Sequence, residues 1–139
     1  MKLPSNIKIK KGLLKILPLS KYTAQAIYPN IYFPKHVYEN LISNKPRLQN
    51  IAILMHEQIH IERAHQVGFI IWNLKYIFLS KFRFEEELEA EKVSIKYLKK
   101  LNFPLDINKR AKKLSSYLYL WCVSYEKAKR ELDKIWNEV

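Results

Sequence analysis

Positions 56–60 of this 139-residue chain read His56-Glu57-Gln58-Ile59-His60, and that pentapeptide restricts the fold more than any other stretch. Two imidazoles four positions apart reach a common point when the backbone is helical. At about 100° per residue they project about 40° apart, one turn above the other. So arranged, the pair matches the H-E-x-x-H pattern that holds one metal ion. Glu57 projects roughly 100° round from His56, so it flanks the ion instead of binding it, which is where a general base for a metal-activated water belongs. The flanks agree with a buried helix over 51–67: Ile51, Ala52, Ile53, Leu54, Met55, Ile59, Ile61 and Ala64 are apolar, and Gly68 is placed to end the helix in a left-handed cap. Core histidines satisfied by hydrogen bonds are the alternative, but packing does not explain an intervening Glu at this spacing.

Two histidines do not complete a catalytic zinc site, which takes three protein ligands and leaves a position for water. The metzincin continuation would need Gly at position 63 and His at position 66, and the chain has Arg63 and Gln66. The remaining candidates are the carboxylates of Phe84-Glu85-Glu86-Glu87-Leu88-Glu89-Ala90-Glu91. On a helical projection Phe84, Leu88, Ala90, Val93, Ile95, Tyr97, Leu98 and Leu101 form an apolar arc, with Lys92, Lys96, Lys99 and Lys100 opposite. Glu87 falls near the middle of that arc and Glu91 about 40° from it on the same face. A carboxylate there is costly unless it is paired or bound to a cation, so Glu87 is the residue that most needs an ion. Glu85, Glu86 and Glu89 are read as an acidic first helical turn favoured by the macrodipole. Arg63 also projects to the metal-facing side of its helix, and a buried Arg63–Glu91 pair is expected where the helices cross.

These residues resemble the gluzincin metallopeptidases, whose H-E-x-x-H is followed on a later helix by Glu-x-x-Ala or a close variant: here His56, Glu57 and His60, then Glu87-Leu88-Glu89-Ala90, with Glu91 where many relatives carry an acidic residue. The resemblance covers about residues 26–101, and the chain's length is similar to that of the small single-domain minigluzincins. What it implies is zinc-dependent peptide-bond hydrolysis, with His56, His60 and Glu87 as zinc ligands and Glu57 as base and proton shuttle toward a zinc-bound water. It also implies that a strand just before the active-site helix, Ile31, Tyr32 and Phe33, runs along the cleft and pairs with an extended peptide or unfolded-protein substrate. An ordinary strand of the core sheet is the other reading of those three residues.

The rest of the chain is read as one α+β domain, mainly helical, over 1–139, with a small N-terminal sheet and a C-terminal helical hairpin. Ile7-Lys8-Ile9 alternates as an edge strand does, 35–43 is helical after Pro34, and Asp106 caps a helical segment that breaks near Ser124. The apolar run at 13–19 looks superficially like a signal peptide, but Lys15 and Pro18 break it and no small-residue cleavage site follows, so mature protein is expected. Cys122 is the single cysteine, which fits a reducing compartment and a cytoplasmic location. The stretch 69–79, Phe-Ile-Ile-Trp-Asn-Leu-Lys-Tyr-Ile-Phe-Leu, is too short to span a bilayer; a buried connecting helix is expected, with an exposed patch for a peripheral membrane contact or a homodimer as the alternative.

Net charge is +12, and no acidic residue precedes Glu39, but Lys and Arg are dispersed and no nucleic-acid motif accompanies them, so nucleic-acid binding is a secondary reading. A gluzincin-like core would be complete by Leu101, yet 38 residues follow, rich in aromatic side chains. They serve as scaffold, as a specificity cap, or as an inhibitory tail making the enzyme a zymogen, with Glu126, Glu131, Glu138 or the terminal carboxylate replacing the catalytic water. Two other function classes stand beside the peptidase: a catalytically degenerate metal-binding interaction protein, and a basic helical binding module.

Overall fold

Among the described residues of the N-terminal third there are three short strands, β1 (Ile7–Ile9), β2 (Gln25–Ile27) and β3 (Asn30–Phe33), and β3 alternates its buried Ile31 and Phe33 with less buried neighbours. The computed structural model describes residues 3–12 and 23–139; the apolar run at 13–19 lies outside the described residues. β3 occupies the centre of the sheet, parallel to β1 (Ile7 opposite Ile31) and antiparallel to β2 (Gln25 opposite Tyr32), in the order β1-β3-β2. Ile31 and Phe33 are fully buried, and the central place is the one that buries them.

That order corrects the expectation for Ile31, Tyr32 and Phe33. Their backbone groups pair on both sides, so they are core-sheet residues and not a cleft edge. β2, with the smaller and more polar Gln25 and Ala26, is the terminal strand on the cleft side.

Six α-helices follow: α1 (Lys35–Ile42), α2 (Leu48–Val67), α3 (Phe69–Phe78), α4 (Ser80–Lys100), α5 (Ile107–Leu114) and α6 (Tyr125–Glu138), with a 3-10 turn at Tyr117–Tyr119. α2 and α3 are joined through Gly68 alone, at φ +92°, a backbone that disfavours any residue with a Cβ. Asp106 caps α5 by accepting from the Lys109 N–H at 2.9 Å, and Ser124 caps α6 by accepting from the Lys127 N–H at 3.3 Å. The C-terminal hairpin therefore forms with the Asp106 cap and the break near Ser124 that the sequence suggested, and the capping role of Ser124 is added by the structure.

Two apolar clusters hold the chain. One joins the sheet to α1 and α2 through Ile7, Ile31, Phe33, Val37, Leu41 and Leu54. The other joins α4 to α5 and α6 through Phe84, Ile95, Ala111, Leu114, Ala128, Leu132 and Ile135. Residues after Asp106 supply five of the thirteen buried members of these clusters, Ala111, Leu114, Ala128, Leu132 and Ile135, so this segment contributes to the core. α2 belongs to the first cluster and α4 to the second, and the seam where the two helices meet is polar.

Two further expectations change. α4 begins at Ser80, so Glu85, Glu86 and Glu89 do not lie in its first turn, and Glu86 is buried. α3 is not a buried connector: Trp72 is its one buried residue, while Ile70 is 62% exposed and Phe78 75%. Only one face of a ten-residue helix can rest on the domain, and an apolar sequence that runs all the way round must leave the rest outside.

Candidate metal centre

On α2, Ala52, His56, His60 and Ala64 form one buried row at a spacing of four. The alanines above and below the histidines let α4 approach closely, and α4 answers with Glu87 and the fully buried Ala90. Three ligand atoms converge there. His56 Nε2 lies 3.2 Å from His60 Nε2 and 3.2 Å from Glu87 Oε2, and His60 Nε2 lies 3.2 Å from Glu87 Oε1. All three residues are buried, and among the described residues they are the only His, Cys, Asp and Glu side chains that form such a group.

The electrostatics follow from burial and mutual contact. Burial works to lower the His56 pKa, but its hydrogen bond to Glu87 and the charges of Glu87, Glu91 and Glu57 outweigh that and raise it to about 9. Burial would raise the Glu87 pKa, yet the His60 charge and the hydrogen bonds from both imidazoles hold it well below the usual carboxylate range. Tyr76, on α3, donates its hydroxyl to Glu87 Oε1, and its ring lies against His60 with centroids 6.0 Å apart. The Tyr76 pKa is raised first by burial and then by the Glu87 charge, so the phenol stays a donor.

The surrounding ring of partners differs from the expected one. Arg63 does not pair with Glu91. It donates from Nε and Nη2 to Glu86 at 2.6 and 2.7 Å, and the Trp72 indole N–H adds a third bond to Glu86 at 2.9 Å. Glu91 instead accepts from Arg110 of α5 and lies 3.9 Å from His56 Nδ1.

The reason is direction. Moving forward along α2 from His56 to His60 to Arg63, the partners on α4 run backward from Glu91 to Glu87 to Glu86, so the helices are antiparallel and Arg63 cannot reach Glu91. His60 Nδ1 is buried and has no hydrogen-bond partner among the described residues.

The centre forms the floor of a cleft of about 440 Å³. Glu57 lies on its wall beside His56, His60 and Glu87; β2 contributes Gln25, Ala26 and Ile27; α3 contributes Asn73, Tyr76 and Ile77; the 3-10 region contributes Leu118, Tyr119 and Leu120. Burial raises the Tyr119 pKa, and Glu87, Glu91 and Glu57 add to that, so a neutral hydroxyl faces a negatively charged site. Arg83, buried at the cleft's end, donates to the backbone carbonyls of Tyr76 at 2.7 Å, of Ile77, and of Tyr119 at 3.4 Å, tying the end of α3 to the 3-10 turn. Glu126, Glu131 and Glu138 are not in the metal-type group, and Glu131 is paired with Arg130 and Lys134 on the surface.

Sequence reasoning reached His56, Glu57, His60 and Glu87, which the fold brings to one place. It missed Tyr76, Tyr119, Arg83, Glu86 and Arg110. Tyr76 had a signal, since it lies one turn beyond Trp72 inside an apolar run and carries a polar tip; the Arg110–Glu91 contact had none, because nothing in local spacing relates residues on different helices. Comparison with protein-family models, with curated proteins and with solved structures finds no match to this chain.

Proposed function

We propose that this chain is a zinc-dependent peptidase in which His56, His60 and Glu87 hold the ion and Glu57 is the general base. The observation that carries the reading is the meeting of two imidazole Nε2 atoms and one carboxylate, each 3.2 Å from the next, beside Glu57 in an open cleft. The fit to zinc rests on two facts. A tetrahedral ion with bonds of about 2.0–2.1 Å separates its ligands by about 3.3–3.4 Å, close to the observed edges. Neutral imidazole nitrogens and a carboxylate are all acceptors toward a shared point, and such a set stays together only around a cation, whether proton or metal. Among the described residues the group offers three protein ligands and not four, which favours a catalytic over a purely structural site. When bound, the ion supplies Lewis acidity that polarises a peptide carbonyl and acidifies water.

The chain's own groups do the rest. The Glu57 carboxylate takes a proton from the attacking water and returns it to the departing amine nitrogen. Lys10, buried just past β1, interacts electrostatically with Glu57. The Tyr119 hydroxyl, kept protonated by its surroundings, is a donor for the substrate's carbonyl oxygen. β2 borders the cleft as a terminal strand, so an extended peptide can add to it by backbone hydrogen bonds.

The test is metal content and turnover in parallel. Wild-type protein is expected to carry one zinc per chain and His60→Ala none. Glu57→Ala is expected to retain zinc and lose about 10²–10⁴ in peptide turnover. Zinc lost from Glu57→Ala, or wild-type protein free of metal after purification without chelator, overturns the assignment.

A further inference from the structure

α3 has two unlike faces. Ile70, Ile71, Leu74, Ile77 and Phe78 are each more than half exposed, and at about 100° per residue they occupy one arc of about 120°. Trp72 and Tyr76 lie on the opposite side, against the metal-type group. The outer arc continues past the end of the helix, because the Arg83 guanidinium that bonds Ile77 O also bonds Tyr119 O, which brings the 3-10 turn and its sequel Leu120 and Trp121 alongside. Trp121 is 70% exposed and Leu120 50%. The same apolar rim reaches the cleft, since Ile77 and Leu120 both line it.

We propose that this face docks the protein on an anionic phospholipid surface, with α3 lying in the plane of the interface and the cleft opening at the lipid headgroups. Charge selects this occupant. The chain carries +12, and the exposed Lys75, Lys81 and Lys113 belong to the same part of the molecule: Lys75 is on α3, Lys81, which lies 3.9 Å from Glu85, is two residues past Leu79, and Lys113 is at the cleft with Leu120. A second copy would bring the same positive charge against itself, whereas anionic headgroups attract it. Shape agrees. Ten helical residues reach about 15 Å, half of a bilayer's hydrocarbon core, and no helix among the described residues is long and apolar enough to cross a membrane. A short helix with one aliphatic face, neighbouring lysines and an exposed Trp has the build of an interfacial anchor. On the peptidase reading, the substrate class becomes peptide segments held at a membrane surface; the docking itself does not depend on that reading.

The experiment is co-sedimentation of the full chain with vesicles of phosphatidylcholine alone and of phosphatidylcholine with phosphatidylserine. Binding is expected to the anionic vesicles, at least tenfold stronger than to the neutral ones, and to weaken as salt is raised. The double variant Ile70→Asp, Phe78→Asp is expected to lose at least tenfold in binding while its melting temperature and zinc content match wild type. Leu74→Asp alone serves as a milder second variant should the double one unfold, with a several-fold loss expected. Absence of binding, equal binding to neutral and anionic vesicles, or a concentration-dependent dimer abolished by these substitutions in a protein that ignores vesicles, each overturns the proposal. Because zinc content is measured on the same samples, a failed metal assignment and a failed docking surface give different results.

Discussion

On a single helix, Trp72 and Tyr76 turn inward to buried carboxylates and imidazoles, while Ile70, Leu74, Ile77 and Phe78 face outward into solvent. The inner region buries what normally stays wet, and the outer region leaves wet what is normally buried. The inner arrangement survives because its charges are answered one by one: Glu86 by three donated hydrogen bonds, Arg83 by three carbonyls, Glu87 by two imidazoles and a phenol. No comparable set of partners covers the outer arc among the described residues. Stability should therefore respond sharply to changes inside and weakly to changes outside, and binding should do the reverse.

The largest expected effect comes from breaking an inner pair on one side only. Arg63→Ala leaves the Glu86 carboxylate, 1% exposed, with the Trp72 N–H as its one remaining donor, and because the Arg63 side chain is itself 36% exposed and its removal admits water, the loss of stability is expected to be about 2–3 kcal/mol, below that of a fully buried pair. Urea unfolding measures it. A loss under 1 kcal/mol would mean that the seam is hydrated and the contrast between the two regions is weaker than drawn.

The next effect is proton-linked and belongs to the metal-free protein. His56 has its folded pKa raised from 6.5 to about 9, so its stabilisation is fully present below about pH 6.5 and is lost as the pH rises through about 9. Glu87 has its folded pKa depressed, so its contribution is present above about pH 4.5 and is lost as the pH falls below that. Their joint contribution should peak between about pH 4.5 and 6.5. On the proposed zinc reading both imidazoles must be unprotonated to bind, so the ion would displace the His56 proton and its affinity should rise with pH up to about 9. Calorimetry in buffers of different ionisation enthalpy should find about one proton released per zinc at pH 7.5; no release would place His56 neutral in the folded chain.

The smallest effect sharpens the other side of the comparison. Ile70→Lys, at a position 62% exposed, is expected to change folding stability by no more than about 0.5 kcal/mol. A loss of 2 kcal/mol or more would show that another part of the chain covers this arc.

Much of the candidate centre was legible before folding is considered because its information is local. A spacing of four on one helix suffices to align His56 with His60, and a carboxylate in the middle of the α4 apolar arc suffices to single out Glu87. The same is true of the Asp106 cap and of the break at Ser124; Gly68 does end α2, but at φ +92° and ψ +118°, outside the left-handed helical region expected of it. The centre's supporting contacts were not legible: Arg63 with Glu86, Arg110 with Glu91, and Arg83 with the Tyr119 carbonyl each join separate elements.

What the chain alone determined, then, is four elements or groups of elements: a helix carrying His56, Glu57 and His60, a helix with Glu87 among apolar neighbours, a small N-terminal sheet and a C-terminal helical hairpin. Tertiary structure decided how those elements meet. Antiparallel packing of α2 on α4 gave Arg63 to Glu86 and left Glu91 to Arg110; insertion of β3 between β1 and β2 made Ile31, Tyr32 and Phe33 central and β2 the cleft's border; and the support available to α3, one face only, put Ile70 and Phe78 in solvent. Periodicity along a chain specifies which side of an element is apolar, but the direction, order and coverage of packed elements depend on contacts between residues far apart in sequence, and no local pattern encodes those.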